Sequence, residues 1–148
     1  MASQKFPIHF HYLVPHFFFP QRLEAKKFIV HLLKKYSKTP ENINYIFCSD
    51  DYSLSINKKY LKHNYYTDII TFDLGEKDQK VADIYISTDR AKENAKTFNV
   101  TFHSEIVRLL IHGALHLSGF NDKTSKDYQR MKELEMIYLK EYFVSRET

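Results

Sequence analysis

The chain has 148 residues, 43% of them hydrophobic, with only three glycines and four prolines. That is enough to bury a core, and it excludes a disordered or repeat-built chain. A single cysteine, Cys48, excludes an intrachain disulfide and any multi-cysteine zinc site, and it suits a reducing compartment. The net charge of +4 permits a polyanionic partner such as RNA without identifying one.

The opening stretch MASQKFPIHFHYLVPHFFFP is interrupted by Pro7, Pro15 and three histidines. It has neither a secretory apolar region nor a cleavage pattern, and no run approaches the roughly 18 apolar residues of a membrane span. A cytoplasmic protein without membrane contact is expected, with Phe17-Phe18-Phe19 in the core or on a partner surface. A strand is expected over 5–12, then a helix opened by Pro20 and running to Tyr36. That helix turns Leu23, Phe28, Ile29, Leu32 and Leu33 inward, with Lys26, Lys27, Lys34 and Lys35 on an exposed face that Lys38 continues. Asn42–Cys48 reads as a strand and Ser53–Leu61 as a short helix. Asp68–Leu74 and Val81–Ser87 read as strands joined across Gly75–Lys80 by an antiparallel hairpin. Helices follow over Thr88–Phe98, Phe102–Ser118 and Ser125–Phe143. The order βαβαββααα implies an α+β fold: a mixed four-stranded sheet with helices packed against it, as one domain over 1–148.

The helix over 102–118 is the most informative element. Val107, Leu110, Ile111, Ala114, Leu115 and Leu117 cover most of its circumference, so it should be largely buried. Glu105, Arg108, His112 and His116 form one narrow polar stripe, which must be satisfied by partners or by a metal. Glu105 and Arg108, at i, i+3, are expected to pair. His112 and His116 lie four residues apart, about 400° around a helix, so both imidazoles leave the same face. Gly119 supplies the left-handed backbone that commonly ends a helix, letting the chain return Asp122 toward the histidines.

An HxxxH pair alone is a weak signal, since two histidines can equally bond core carbonyls. Gly119 and Asp122 strengthen it: the spacing H-x₃-H-x₂-G-x₂-D is that of the metzincin signature with Asp in the last place. His112, His116 and Asp122 are therefore the candidate ligands of one divalent metal, zinc foremost, with a position left for water. The competing reading of Asp122 is a cap or turn before the last helix. Gly113 stands where metalloproteases carry their general-base Glu, which argues against proteolysis by that route.

HGALHLSGFND resembles the H-G-x-L-H-L-x-G-[YF]-D-H signature of the YbeY family of bacterial endoribonucleases. Asn57-Lys58-Lys59-Tyr60 followed by Thr67-Asp68-Ile69-Ile70-Thr71-Phe72 resembles that family's N-x-x-Y-R…T-D-V-L-S-F segment, and Asp83-Ile84-Tyr85-Ile86-Ser87 its G-D-I-x-I-S strand. The resemblance implies a cytoplasmic metal-dependent endoribonuclease of single-stranded RNA. It further implies a role in 3′-end maturation of 16S (small-subunit) ribosomal RNA and in ribosome quality control, with the small ribosomal subunit as partner. Two departures stand out. The family's third ligand is usually His and here is Asp122, and the family's arginine falls on Leu61.

With Leu61 unable to contact phosphate, Lys58, Lys59 and Lys62, with His63, are the candidate RNA-binding cations, interleaved with Tyr60, Tyr65 and Tyr66 for base stacking. A solvated helix end followed by packed aromatics is an equal reading of the same run. Asp68 stands between orienting water or ligands and a turn bond at a strand end. His9, His11, His16, His31 and His103 lack metal spacing and are taken as structural. Two other functions stay open: a metal-dependent hydrolase of another substrate, and a ribosome-assembly binding protein with weak catalysis.

Overall fold

The structure is a computed structural model that describes residues 6–146. The chain runs β1 (Ile8–Tyr12), α1 (Arg22–Lys35), β2 (Thr39–Cys48), α2 (Asp50–Leu61), β3 (Ile69–Asp73), β4 (Gln79–Ser87), α3 (Thr88–Phe98), α4 (Phe102–Leu117) and α5 (Ser125–Arg146). The strands form one sheet in the order β1-β2-β4-β3. β1, β2 and β4 are parallel, and β3 pairs antiparallel with β4 across the hairpin. The expected mixed sheet is thus present.

Side-chain alternation sorts the sheet into two faces. Ile43, Tyr45 and Phe47 of β2 and Ala82, Ile84 and Ile86 of β4 are fully buried. α1 and α4 cover this face, and α5 packs on α4. α2 lies over the opposite face, where Tyr52 meets Tyr85 and Tyr60 meets Phe72 ring to ring. Inside, Phe10 makes edge-to-face contacts with Phe19, Tyr45 and Phe47.

Helix starts follow from hydroxyl caps, each of which satisfies an otherwise unpaired first-turn amide. Ser49 Oγ accepts from Tyr52 N, Ser87 Oγ from Arg90 N and Thr101 Oγ1 from Ser104 N. The Ser49 cap explains why α2 begins three residues before the expected Ser53. β2 begins at Thr39 rather than Asn42, because a register shift between Pro40 and Asn42 lets a proline sit in the strand. α1 begins only after Gln21, which takes a left-handed conformation (φ 55°). Leu23 in its first turn is 50% exposed rather than inward. Of the phenylalanine triplet, Phe19 is buried and Phe18 exposed. Lys38 leaves the expected exposed face to bond the Lys77 carbonyl and Asp78. The start of the first expected strand, at residue 5, lies outside the described residues. Among the described residues, no helix is long and apolar enough to cross a membrane.

Candidate metal centre

α4 is held against the sheet from several directions. The buried Tyr45 hydroxyl donates to the Leu110 carbonyl at 2.8 Å. At Gly113 a Cβ would lie 3.1 Å from Ile84 Cδ1 and 3.3 Å from Ile84 Cγ2. The glycine thus lets the helix approach β4 closely. Its position faces the sheet, so a general-base Glu there would be driven into the core instead of toward the histidines. The polar stripe of α4 faces a cavity of about 590 Å³, bounded by β3, the loop before it, and the start of α5.

His112, His116 and Asp122 line that cavity together. The imidazole centroids are 4.8 Å apart. α4 ends at Leu117, and Gly119 takes φ +105° with no heavy atom near a Cβ position, so the turn needs glycine for its backbone and not for space. Asp122 returns with one carboxylate oxygen 3.9 Å from His112 Nε2 and the other 3.9 Å from His116 Nε2. One potential ligand atom from each of the three residues lies within 4.8 Å of the others. Ligand atoms of a tetrahedral zinc, each about 2.0–2.2 Å from it, lie about 3.4 Å apart, so the 3.9 Å His–Asp distances and the 4.8 Å span would contract around a bound ion. Two imidazole nitrogens and a carboxylate oxygen are a donor set suited to zinc and to other divalent first-row ions. Asp122 does not cap the last helix. Thr124 does so, its Oγ1 accepting from Asp127 N, and the turn before it uses Asn121, whose Oδ1 accepts from Lys123 N.

The rest of the polar stripe is satisfied by neighbouring elements. Arg108 donates Nε and Nη2 to Glu105 at 2.8 and 2.7 Å, the expected pair. It also donates Nη1 to Glu135 of α5 at 2.8 Å. Glu135 Oε2 stands 2.6 Å from His112 Nδ1. The Glu135 carboxyl is only 2% exposed. Burial pushes its pKa up, but the His112 hydrogen bond and the Arg108 charge prevail and hold it at about 2. For His116, burial first and the neighbouring His112 second lower the pKa, which favours the neutral imidazole a metal needs. Asn94 of α3 donates to both Asp68 and Glu105. Asp68 therefore lines the cavity as an oriented acid, held by Asn94 at 2.9 Å with Arg108 at 3.6 Å.

Glu135 is the partner that sequence reasoning missed. Its signal was available: Met131, Leu134, Tyr138 and Tyr142 form the buried stripe of α5, and Glu135 lies among them, four residues after Met131 and three before Tyr138. A carboxylate in such a stripe requires a buried cationic or hydrogen-bonding partner.

The structure does not bring the lysine run to the cavity. Lys58, Lys59 and Lys62 are exposed at the end of α2 and are not among the lining residues. Tyr65 from the same run does line it, and so do Tyr128 and Lys132 of α5. Buried Asn57 shapes this loop: its Nδ2 donates to the Tyr65 carbonyl and its own carbonyl accepts from His63 N. Tyr65 then stacks on His63, ring centroids 5.1 Å apart, and its hydroxyl meets His63 Nδ1.

Comparison with known proteins supplies the family. The family model described as "Endoribonuclease YbeY" matches residues 20–143. A protein from Cytophaga hutchinsonii named "Endoribonuclease YbeY" is 46% identical over 116 residues, 78% of this chain and 81% of that protein. A protein of the same name from Bacteroides thetaiotaomicron is 42% identical over 115 residues, 78% of this chain and 84% of its own. The solution structure of TM1509 from Thermotoga maritima superimposes with a TM-score of 0.66 at 30% identity, covering 95% of this chain and 91% of that one. The HGALHLSGFND helix and turn, the strand arrangement and these relatives agree: the chain belongs to the YbeY endoribonuclease family.

Proposed function

We propose that this chain, as one domain, is a metal-dependent endoribonuclease of single-stranded RNA. In this reading it works in the cytoplasm on the 3′ end of small-subunit ribosomal RNA and in ribosome quality control, with the small subunit as partner. The observation that carries the catalytic part is the convergence of His112, His116 and Asp122 on one wall of an open cavity. The ribosomal part is supported by family membership.

His112, His116 and Asp122 would hold one divalent ion, zinc foremost. When bound, such an ion supplies a nucleophilic water of lowered pKa and a Lewis acid for a phosphoryl oxygen. The chain's own contributions are separate. His116, whose neutral form burial favours, and His112, whose Nδ1 faces Glu135, both turn Nε2 toward Asp122. Exposed Tyr65 and Tyr128 flank the entrance as flat surfaces on which unpaired bases stack. Lys132 at the same entrance, with Lys58, Lys59 and Lys62 at the end of α2, offers positive charge to the backbone.

The test compares cleavage of a single-stranded RNA by wild type and His116→Ala, with and without chelator, alongside casein as an unrelated substrate. Cleavage of RNA alone, lost on chelation and in the variant, is expected. Equal cleavage by both proteins in chelator refutes the metal-dependent reading. RNA binding without any turnover points to an assembly factor.

A further inference from the structure

We propose that Glu135 is a positioning residue that, with Arg108, fixes the tautomer of His112 so that Nε2 faces the cavity free of its proton. This rests on the metal reading above. A carboxylate only accepts hydrogen bonds, so the 2.6 Å contact requires the proton of the neutral imidazole on Nδ1. Nε2, the atom 3.9 Å from Asp122, is then a bare lone pair. In water an imidazole proton exchanges between its two nitrogens, and a histidine carrying it on Nε2 must change tautomer before it can ligate through that atom.

Arg108 makes the arrangement directional. One Glu135 oxygen, Oε1, accepts from Arg108 Nη1 at 2.8 Å and from Lys132 Nζ at 3.4 Å. The other, Oε2, is left for His112. The guanidinium is itself fixed by two bonds to Glu105 and always donates. Both carboxylate oxygens are thus committed, one to cations and one to the imidazole, inside the protein.

This predicts an unusual outcome for a nearly isosteric change. In Glu135→Gln the side chain has a single acceptor oxygen, and Arg108 with Lys132 claims it. The amide NH₂ is then turned toward His112 Nδ1, which must accept, and the proton moves to Nε2. Volume and packing are kept while the tautomer is inverted, a result that a merely space-filling role does not produce.

The experiment uses the full chain with ¹⁵N-labelled histidine, first metal-free and then titrated with zinc. Long-range proton–nitrogen spectra assign the protonated nitrogen of His112, and calorimetry gives zinc affinity. The wild type is expected to carry the proton on Nδ1. Glu135→Gln is expected to carry it on Nε2 and to bind zinc about 10–100-fold more weakly, the usual cost of losing an outer hydrogen-bond partner of a ligand. A Glu135→Gln protein with the wild-type tautomer and affinity overturns the proposal. A wild type that takes up no zinc overturns the metal reading instead, and the two failures are distinct. Should Glu135→Gln not fold, Glu135→Asp keeps the charge beside Arg108 while withdrawing the oxygen from Nδ1. A mixed tautomer and weaker zinc binding are expected there, and unchanged values overturn the proposal equally.

Discussion

Acid should loosen this protein in part through one buried carboxylate, Glu135. Glu135 is held at about 2 against an ordinary 4.5, because the His112 bond and the Arg108 charge outweigh the burial that opposes them. A group whose folded pKa is depressed contributes stability above its unfolded pKa and loses it as pH falls through the interval between the two. The window is therefore pH 4.5 down to about 2. Applying linkage to those two values, the Glu135 contribution falls by about 2 kcal/mol between pH 7 and pH 3. The assay is urea unfolding of metal-free wild type and Glu135→Gln at pH 7, 5 and 3, comparing each protein with itself. Wild type should lose about 2 kcal/mol more than the variant across the lower interval, since glutamine has no proton to take up there. His116, also depressed, adds a loss in both proteins, but it begins as pH falls below the ordinary histidine value of 6.5. That loss begins above the Glu135 window, which opens only at 4.5. Equal losses in the two proteins between pH 5 and pH 3 would refute the assignment of that stability to Glu135.

Three further outcomes are expected. Asp122→His should preserve folding and tighten zinc binding in calorimetry, because imidazole suits zinc better than it suits hard cations; a large fall in affinity would show that the short reach of Asp is required. Gly113→Ala should cost on the order of 1 kcal/mol in thermal or urea unfolding. Overpacking against the buried Ile84 typically costs about 1–3 kcal/mol, offset by about 1 from the better helix propensity of alanine. A stabilised variant would mean that Ile84 yields freely. Lys58→Ala/Lys62→Ala should weaken RNA binding and flatten its salt dependence, by roughly 0.7 in log–log slope for each phosphate no longer neutralised, with metal content unchanged. An unaltered slope assigns these lysines to a solvated helix end and leaves Lys132 and the cavity mouth as the RNA path.

What the sequence made legible, and what it hid, divides along the range of the interactions. Periodicity and local caps are short-range, so the element order and the antiparallel hairpin could be read from residues a few positions apart. The errors fall where a distant partner or backbone special decides the local outcome. Pro40 sits in β2 because β4 pairs with it across a register shift. Leu23 is solvent-exposed because the helix begins only after Gln21 turns left-handed. Ser49 caps α2 while Asp50, the first helical residue, receives Ser87 and Arg90 from 37 and 40 residues away.

The same division runs through the site. His112 and His116 are four apart on one helix, and Gly119 announces the turn that returns Asp122, so the three candidate ligands could be named without a structure. Glu135 lies 23 residues from His112 on another helix, and only the packing of α5 against α4 brings its oxygen to Nδ1. Conversely, Lys58, Lys59 and Lys62 are near the motif tyrosines in sequence yet stay off the cavity, because the loop tied by Asn57 carries Tyr65 to the cavity mouth and leaves the lysines behind at the end of α2. The polar stripe on an otherwise buried helix was the sounder guide. Each of its four members finds a neighbour in space, and it is the neighbour of His112 that decides which nitrogen remains for a metal.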